Sequence, residues 1–325
     1  MAIGSPGIFP KSEGNVIYAA DYNSIQSATE FLLGTGLADS GYGQSISSAQ
    51  TASGAKVTVS QWNNLRTDLL KIRQHQTGTD QAANLDVPNS SLIIDDAFAN
   101  QYKDFGNLCN TNRLTIAANQ GTLSDLFSPA IRTTAWNGVI THTVTVTFAS
   151  ANAARFFFNA GGQFRFSASR ASGSSTNKNT AWTTLLNDMG TITFNASGTN
   201  YSGSGATTCL TTTGWYGITT SNTTVFLKPS AAGVYVENDY NIQVRKNAND
   251  NTANILYFTI QFRDDDAGDQ ITGGVGGGGV DGQFAPLGPA VDEDIDGILA
   301  STVKIFLPTG TNVSLTAPSH TQSGI

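Results

Sequence analysis

Thr143-Val144-Thr145-Val146-Thr147-Phe148 decides the fold class of this chain. β-branched and aromatic side chains fall on one face and hydroxyls on the other, the pattern of a half-exposed antiparallel strand. The same alternation returns in Val234 and Val236, Ile242 and Val244, in Leu256, Phe258, Ile260 and Phe262, and in Val303, Ile305 and Leu307. Gly, Asn and Ser turns separate these short runs, so the expected fold is mainly β: an antiparallel β-sandwich, not a parallel α/β sheet. Arg155-Phe156-Phe157-Phe158, Asn159-Ala160-Gly161-Gly162 and Gln163-Phe164-Arg165-Phe166 read as a hairpin with core phenylalanines, its turn placing glycine where positive φ is required. A helix over 181–189, ended by Gly190, is expected to interrupt the strands.

Upstream of about Gly121 the apolar period is 3.6 rather than 2, which divides the chain into a small helical N-terminal region, 1–120, and a β-domain, 121–325. The helical part carries an internal echo. Val16-Ile17-Tyr18-Ala19-Ala20-Asp21-Tyr22-Asn23 is answered by Lys56-Val57-Thr58-Val59-Ser60-Gln61-Trp62-Asn63, an apolar stretch running into an aromatic-Asn pair. Asp21 and Ser60 are placed to cap a helix each. The first helix carries Ile25, Ala28, Phe31 and Leu32 and ends at Gly34, where a left-handed cap suits glycine. The second carries Trp62, Leu65, Leu69 and Ile72 and ends near Gly78. A third is expected over 95–105, with Ala97, Phe98, Tyr102 and Phe105 on one side and Gly106 closing it. The glycine-dense loop 34–44, with Tyr42 near its tip, has the composition of a partner-docking loop or, equally, of a plain connection. Two copies of a motif are too few for a solenoid.

Only 13% of the 325 residues are charged, below the quarter usual for a soluble domain, so the surface is rich in hydroxyls and amides. That composition suits a protein covered by neighbours. Net charge is −7, from 24 acidic and 17 basic residues, with no basic patch, which argues against a nucleic-acid partner. Cys109 and Cys209, a hundred residues apart, are expected to be reduced. The opening residues lack a secretory pattern and no apolar run reaches the ~20 residues of a membrane span, so a soluble protein made in a cytoplasm is expected.

No motif points to catalysis. Gly274-Val275-Gly276-Gly277-Gly278-Gly279, within a glycine-rich loop over 273–282, matches a dinucleotide fingerprint only formally, because Pro286 and Pro289 stand where its helix would open. No cofactor is expected. Two acidic clusters flank that loop: Asp264, Asp265, Asp266 and Asp269 before it, and Asp292, Glu293, Asp294 and Asp296 after it. The first offers oxygen ligands to calcium, although a solvated turn is the plainer reading. His75, His142 and His320 lack zinc-ligand spacing. His75 lies near a helix C-terminus that favours a partly protonated ring, and His142 opens a strand on its exposed, threonine-bearing face. Trp215 and Tyr216, held between glycines, offer a stacking platform for a glycan, with a core or interface anchor as the commoner use of such a pair.

Asp21-Tyr22-Asn23-Ser24-Ile25, Gly41-Tyr42-Gly43-Gln44, Gln61-Trp62-Asn63-Asn64-Leu65 with His75-Gln76-Thr77-Gly78, and above all Phe158-Asn159-Ala160-Gly161-Gly162-Gln163-Phe164-Arg165-Phe166 resemble virion structural proteins of tailed bacteriophages, notably cyanophages. The resemblance spans most of 14–265. It implies a non-enzymatic tail, neck, baseplate or fibre component located in the virion, with other phage virion proteins as partners. By the same analogy it implies a homo-oligomer, preferably a trimer. Tyr22, Asn23, Tyr42, Trp62 and Asn63 are the expected assembly contacts. The alternatives are a receptor-binding protein that recognises host-surface glycan and a capsid decoration protein.

Overall fold

A computed structural model describes residues 18–89, 95–231, 233–249, 252–266 and 292–325. The glycine-rich loop 273–282 and Asp269 lie outside the described residues. Three helices come first: α1 (Ala19–Leu33), α2 (Val59–Thr77) and α3 (Asp96–Thr111). Trp62 of α2 anchors them, with the rings of Tyr22, Phe98 and Tyr102 edge-on to it at 5.2, 5.3 and 5.1 Å. That is the packing the ring quadrupole prefers.

From Gly121 the chain builds two six-stranded antiparallel sheets. The first comprises β1 (Gly121–Asp125), β2 (Ala130–Arg132), β4 (Gln163–Ala171), β5 (Ile192–Phe194), β6 (Thr199–Tyr201) and β11 (Ile298–Pro308). The second runs in the order β12 (Ser319–Ser323), β3 (Val139–Thr147), β10 (Ile255–Arg263), β9 (Asp239–Lys246), β8 (Thr223–Pro229) and β7 (Thr208–Cys209). The sheets face each other: Phe164 and Phe166 of β4 meet Phe258 of β10 at 5.4 and 5.0 Å. The expected sandwich is therefore the fold. β3, β10 and β11 alternate buried and half-exposed residues along almost their whole length, as the period-2 reading required.

The expected hairpin through 155–166 is instead a helix followed by a strand. α4 (Ala151–Asn159) is capped by Ser150, whose hydroxyl accepts from the Ala153 N–H at 3.0 Å. Ala151, Ala153 and Ala154 favour the helix, and Ala154, Phe157 and Phe158 form its buried stripe. The glycines end this helix rather than turn a hairpin. Gly161 has φ +83°, and a Cβ there would come 2.5 Å from Cγ2 of Ile116. Gly161→Ala is expected to cost about 2–4 kcal/mol in denaturant unfolding, from the left-handed backbone plus the clash. Gly54, at φ +80° with nothing within 4 Å of a built Cβ, isolates the backbone part, and Gly54→Ala should cost about 1–2 kcal/mol.

Several local expectations are corrected in the same way. α2 is capped by Thr58, two residues ahead of Ser60, in a reciprocal pair with Gln61. In α1 Asp21 occupies the third helical position and accepts from the Tyr18 N–H at 2.7 Å. Gly34 is not left-handed (φ −80°), whereas Gly78 is (φ +76°). α3 runs through Gly106 to Thr111, because Gly106 packs against Leu69 and continuing the helix buries Cys109. Gly233–Tyr235 is a single 3-10 turn, with Val236 exposed, so no strand forms where Val234 and Val236 were read as one. His142 lies on the same face of β3 as Val144 and Val146 and is buried, its two ring nitrogens 2.9 Å from Ser301 Oγ and 3.0 Å from Gln322 Oε1.

Candidate functional site

Two places in the molecule concentrate buried polar chemistry. The first is the seam where the helical cap meets the sandwich. Arg155 of α4, its guanidinium 5.0 Å over the Phe156 ring, donates to the carbonyls of Ser40 and Thr35, both at 2.6 Å. Asn159, one turn later, donates to the carbonyls of Ala38 and Gly41. Tyr216 Oη donates to the Ala38 carbonyl at 2.8 Å and lies 2.5 Å from Asn159 Oδ1. The loop 34–44 thus docks on the chain's own β-domain, and its carbonyls, left unpaired by the helices, are satisfied from α4. Gly43 sits so close to the Phe156 ring that a built Cβ would come within 2.3 Å of it.

The cap side of the seam is paired as well, apart from His75 Nδ1, which is buried without a hydrogen-bond partner. Tyr42 Oη donates to the Arg113 carbonyl at 2.8 Å and accepts from Gln76 Nε2, which also reaches the Cys109 carbonyl at 2.7 Å. His75 Nε2 donates to the Ala160 carbonyl at 2.9 Å across the seam. Burial outweighs that bond and lowers the His75 pKa to about 4, so the ring is neutral at pH 7 and the expected partly protonated histidine is corrected. In the unfolded chain its pKa returns to about 6.5, so the unfolded state takes up a proton first as pH falls. The His75 contribution is complete above pH 6.5 and is lost as pH falls towards 4. Between pH 7.5 and 4.5 the loss is roughly 2–3 kcal/mol, so His75→Gln should flatten the acid limb of a stability–pH curve by that amount.

The second place joins the described residues on either side of 267–291. Lys178, in the first turn of α5 (Asn177–Met189), is fully buried and its Nζ lies 2.8 Å from Asp264 Oδ2, 2.5 Å from Asp292 Oδ1 and 3.5 Å from Asp266 Oδ2. Asn137 Nδ2 donates to Asp292 Oδ2 at 2.6 Å, and Asn238 Oδ1 accepts from the backbone N–H groups of Asp265 and Asp266. Burial disfavours charge on Lys178, but the hydrogen bonds and charges of Asp264 and Asp292 outweigh it and hold its pKa above the usual value. Burial also pushes the Asp264 carboxyl up to about 6 despite Lys178, while Lys178 and Asn137 hold the Asp292 carboxyl below its usual range, against a burial effect that acts the other way. One ammonium serves three carboxylates, and Asp264, the most buried, takes up its proton ahead of Asp292.

Tyr22, Tyr42 and Trp62 are 0–2% exposed and are corrected from assembly surface to the interior of the cap. Asn23 and Asn63 are half-buried: Asn23 exchanges two hydrogen bonds with the Thr51 backbone, and Asn63 reaches the Pro88 carbonyl. Trp215 has no exposure, stacks on Phe158 at 4.8 Å and 13°, and carries Lys246 Nζ 4.7 Å over its ring, so it offers no platform to a glycan. Tyr216 is half-buried and tied into the seam. Around Asp264 and Asp266, both buried, the cationic partner is Lys178 itself, in place of the solvated turn favoured from the sequence and of the calcium site offered beside it; Asp265 pairs with Arg263. Among the described residues no group of three or more His, Cys, Asp or Glu side chains is arranged to hold a metal ion. Both cysteines are free, and burial pushes the Cys109 thiol up to about 12.

Sequence reasoning missed Arg155 and Lys178. Both are lone cations in polar or apolar surroundings, and their significance lies in long-range partners more than 80 positions away. No protein-family model, curated protein or solved structure matches this chain.

Proposed function

We propose that this chain is a non-enzymatic structural subunit of a tailed-phage particle, a tail, neck, baseplate or fibre component that assembles with other virion proteins and as a homo-oligomer, preferably a trimer. The observation that carries the reading is where the phage-like stretches meet. Gly41-Tyr42-Gly43, His75-Gln76 and Phe158-Asn159-Ala160-Gly161 converge on the seam, where Tyr42 Oη, Gln76 Nε2, His75 Nε2 and Asn159 Nδ2 all donate to carbonyls of the same chain. Residues used in this way make a stiff joint between cap and sandwich, the mechanical property a particle component needs.

The sandwich also leaves surface for neighbours. β1 and β2 pair with β11, and Leu123 and Ile131 on them are 44% and 51% exposed. Apolar side chains on exposed edge strands are sites where another chain adds. Quantitative mass spectrometry of gradient-purified particles tests the reading. A fixed copy number relative to the other virion proteins supports it, and loss of the chain from the particles on purification overturns it.

A further inference from the structure

Lys178 and Asp264 are placed to react with each other. Both side chains are fully buried, and Lys178 Nζ lies 2.8 Å from Asp264 Oδ2. Neither Asp264 oxygen receives a well-directed hydrogen bond, so the contact is close without engaging the carboxyl's lone pairs. Asp292 differs: its Oδ1 accepts a hydrogen bond from the same Nζ at 2.5 Å, and its Oδ2 accepts from Asn137. One carboxyl is set to take a proton from the nitrogen, and the other lies beside it with its oxygens otherwise unpartnered.

Trp182 stands one turn after Lys178 on α5, Phe262 two residues before Asp264, and Trp136 next to Asn137; all three are buried. In water an amine and a carboxylic acid remain as solvated ions and do not condense. Burial removes that solvation, and an amide abolishes both buried charges. Fixed contact also turns the encounter into an intramolecular step. We infer that Lys178 and Asp264 condense to an intramolecular isopeptide bond, with Asp292 moving the proton. Asp292 takes one proton from the ammonium, the freed amine adds to Cγ of Asp264, and one Cγ–O bond breaks. Asp292 returns its proton to the departing oxygen, a second proton follows from the nitrogen, and one water leaves. Ammonium and carboxylate become amide and water, with no net proton and no electrons exchanged. Because the carboxylates hold Lys178 charged, the free amine is rare and the bond closes slowly. Freshly folded chain carries the ion cluster, and aged chain the bond, which staples α5, packed on β4 of one sheet, to the end of β10 in the other. The inference is independent of the particle reading.

Intact-mass spectrometry of the denatured full chain, fresh and after weeks at neutral pH, tests it. The expected result is a growing population lighter by one water, with a branched tryptic peptide whose fragmentation joins Lys178 to Asp264. Lys178→Met should abolish that population, and Asp292→Asn should slow its growth by about a hundredfold or more, the usual contribution of a proton-transfer group. Asp-Gly pairs such as Asp296-Gly297 also lose water as cyclic imides, and that loss would survive K178M. Three results overturn the inference: no loss of water from the parent on ageing, a loss that K178M retains in full, or a branch to Asp292 in place of Asp264. The branched peptide is read on the parent alone, so the answer holds whether or not K178M folds.

Discussion

Lys178→Ala is expected to destabilise the protein by about 3 kcal/mol, the low end of the range for breaking a buried ion pair, because Asp292 keeps 31% of its side chain in water. The carboxylates of Asp264 and Asp266 would remain buried against each other, and Asp264 and Asp292 would lose the group that ties them. The loss should depend on pH in a defined direction. Asp264 has its pKa raised from 3.8 to about 6 in the folded state, so the folded chain takes up its proton first on acidification. Its ionised form opposes folding above pH 6, and that opposition fades as pH falls from 6 towards 4. Lys178→Ala should therefore cost more at pH 8 than at pH 5, as read by urea unfolding at the two values. A cost that is equal at both, or larger at pH 5, would show that the carboxylates are not held by this lysine. The Asp264 and His75 contributions run in opposite directions below pH 6.5, so the parent curve alone conceals both, and the two variants separate them.

Trp215→Ala should cost about 3–5 kcal/mol, as expected for removing a fully buried aromatic. The cavity would open beside Phe158 and leave Lys246 Nζ without the ring it lies over. Tyr216→Phe, one residue along, should cost about 1 kcal/mol by removing the hydroxyl that reaches Ala38 and Asn159. Chemical denaturation reads both, and the contrast between neighbours checks the assignment of Trp215 to the core and Tyr216 to the seam.

The alternation in 143–148, 256–262 and 303–307 made the sandwich legible, because burying one face of a strand imposes a period that no other element shares. The cap was legible for the same reason, through Trp62, Leu65, Leu69 and Ile72. The run Arg155-Phe156-Phe157-Phe158 misled because adjacent phenylalanines carry no period, and the Ser150 cap and flanking alanines that settle it lie outside the run. His142 was misplaced on a parity that its neighbours Val144 and Val146 contradict. The site candidates fared worse, since aromatic residues such as Tyr22, Tyr42, Trp62 and Trp215 look alike in sequence whether they face a partner or the core. The two polar centres were illegible because Arg155 finds Ser40, and Lys178 finds Asp264 and Asp292, only once the chain has folded.

On the proposed reading the chain is built into a phage particle as a structural subunit. Antibody raised to the folded protein, bound to intact purified particles with a gold label and imaged by electron microscopy, addresses it most directly. Gold at one fixed, symmetry-related position on the tail, neck or baseplate is the expected result. Particles that carry no label, while the same antibody detects the chain free in the lysate, would contradict it.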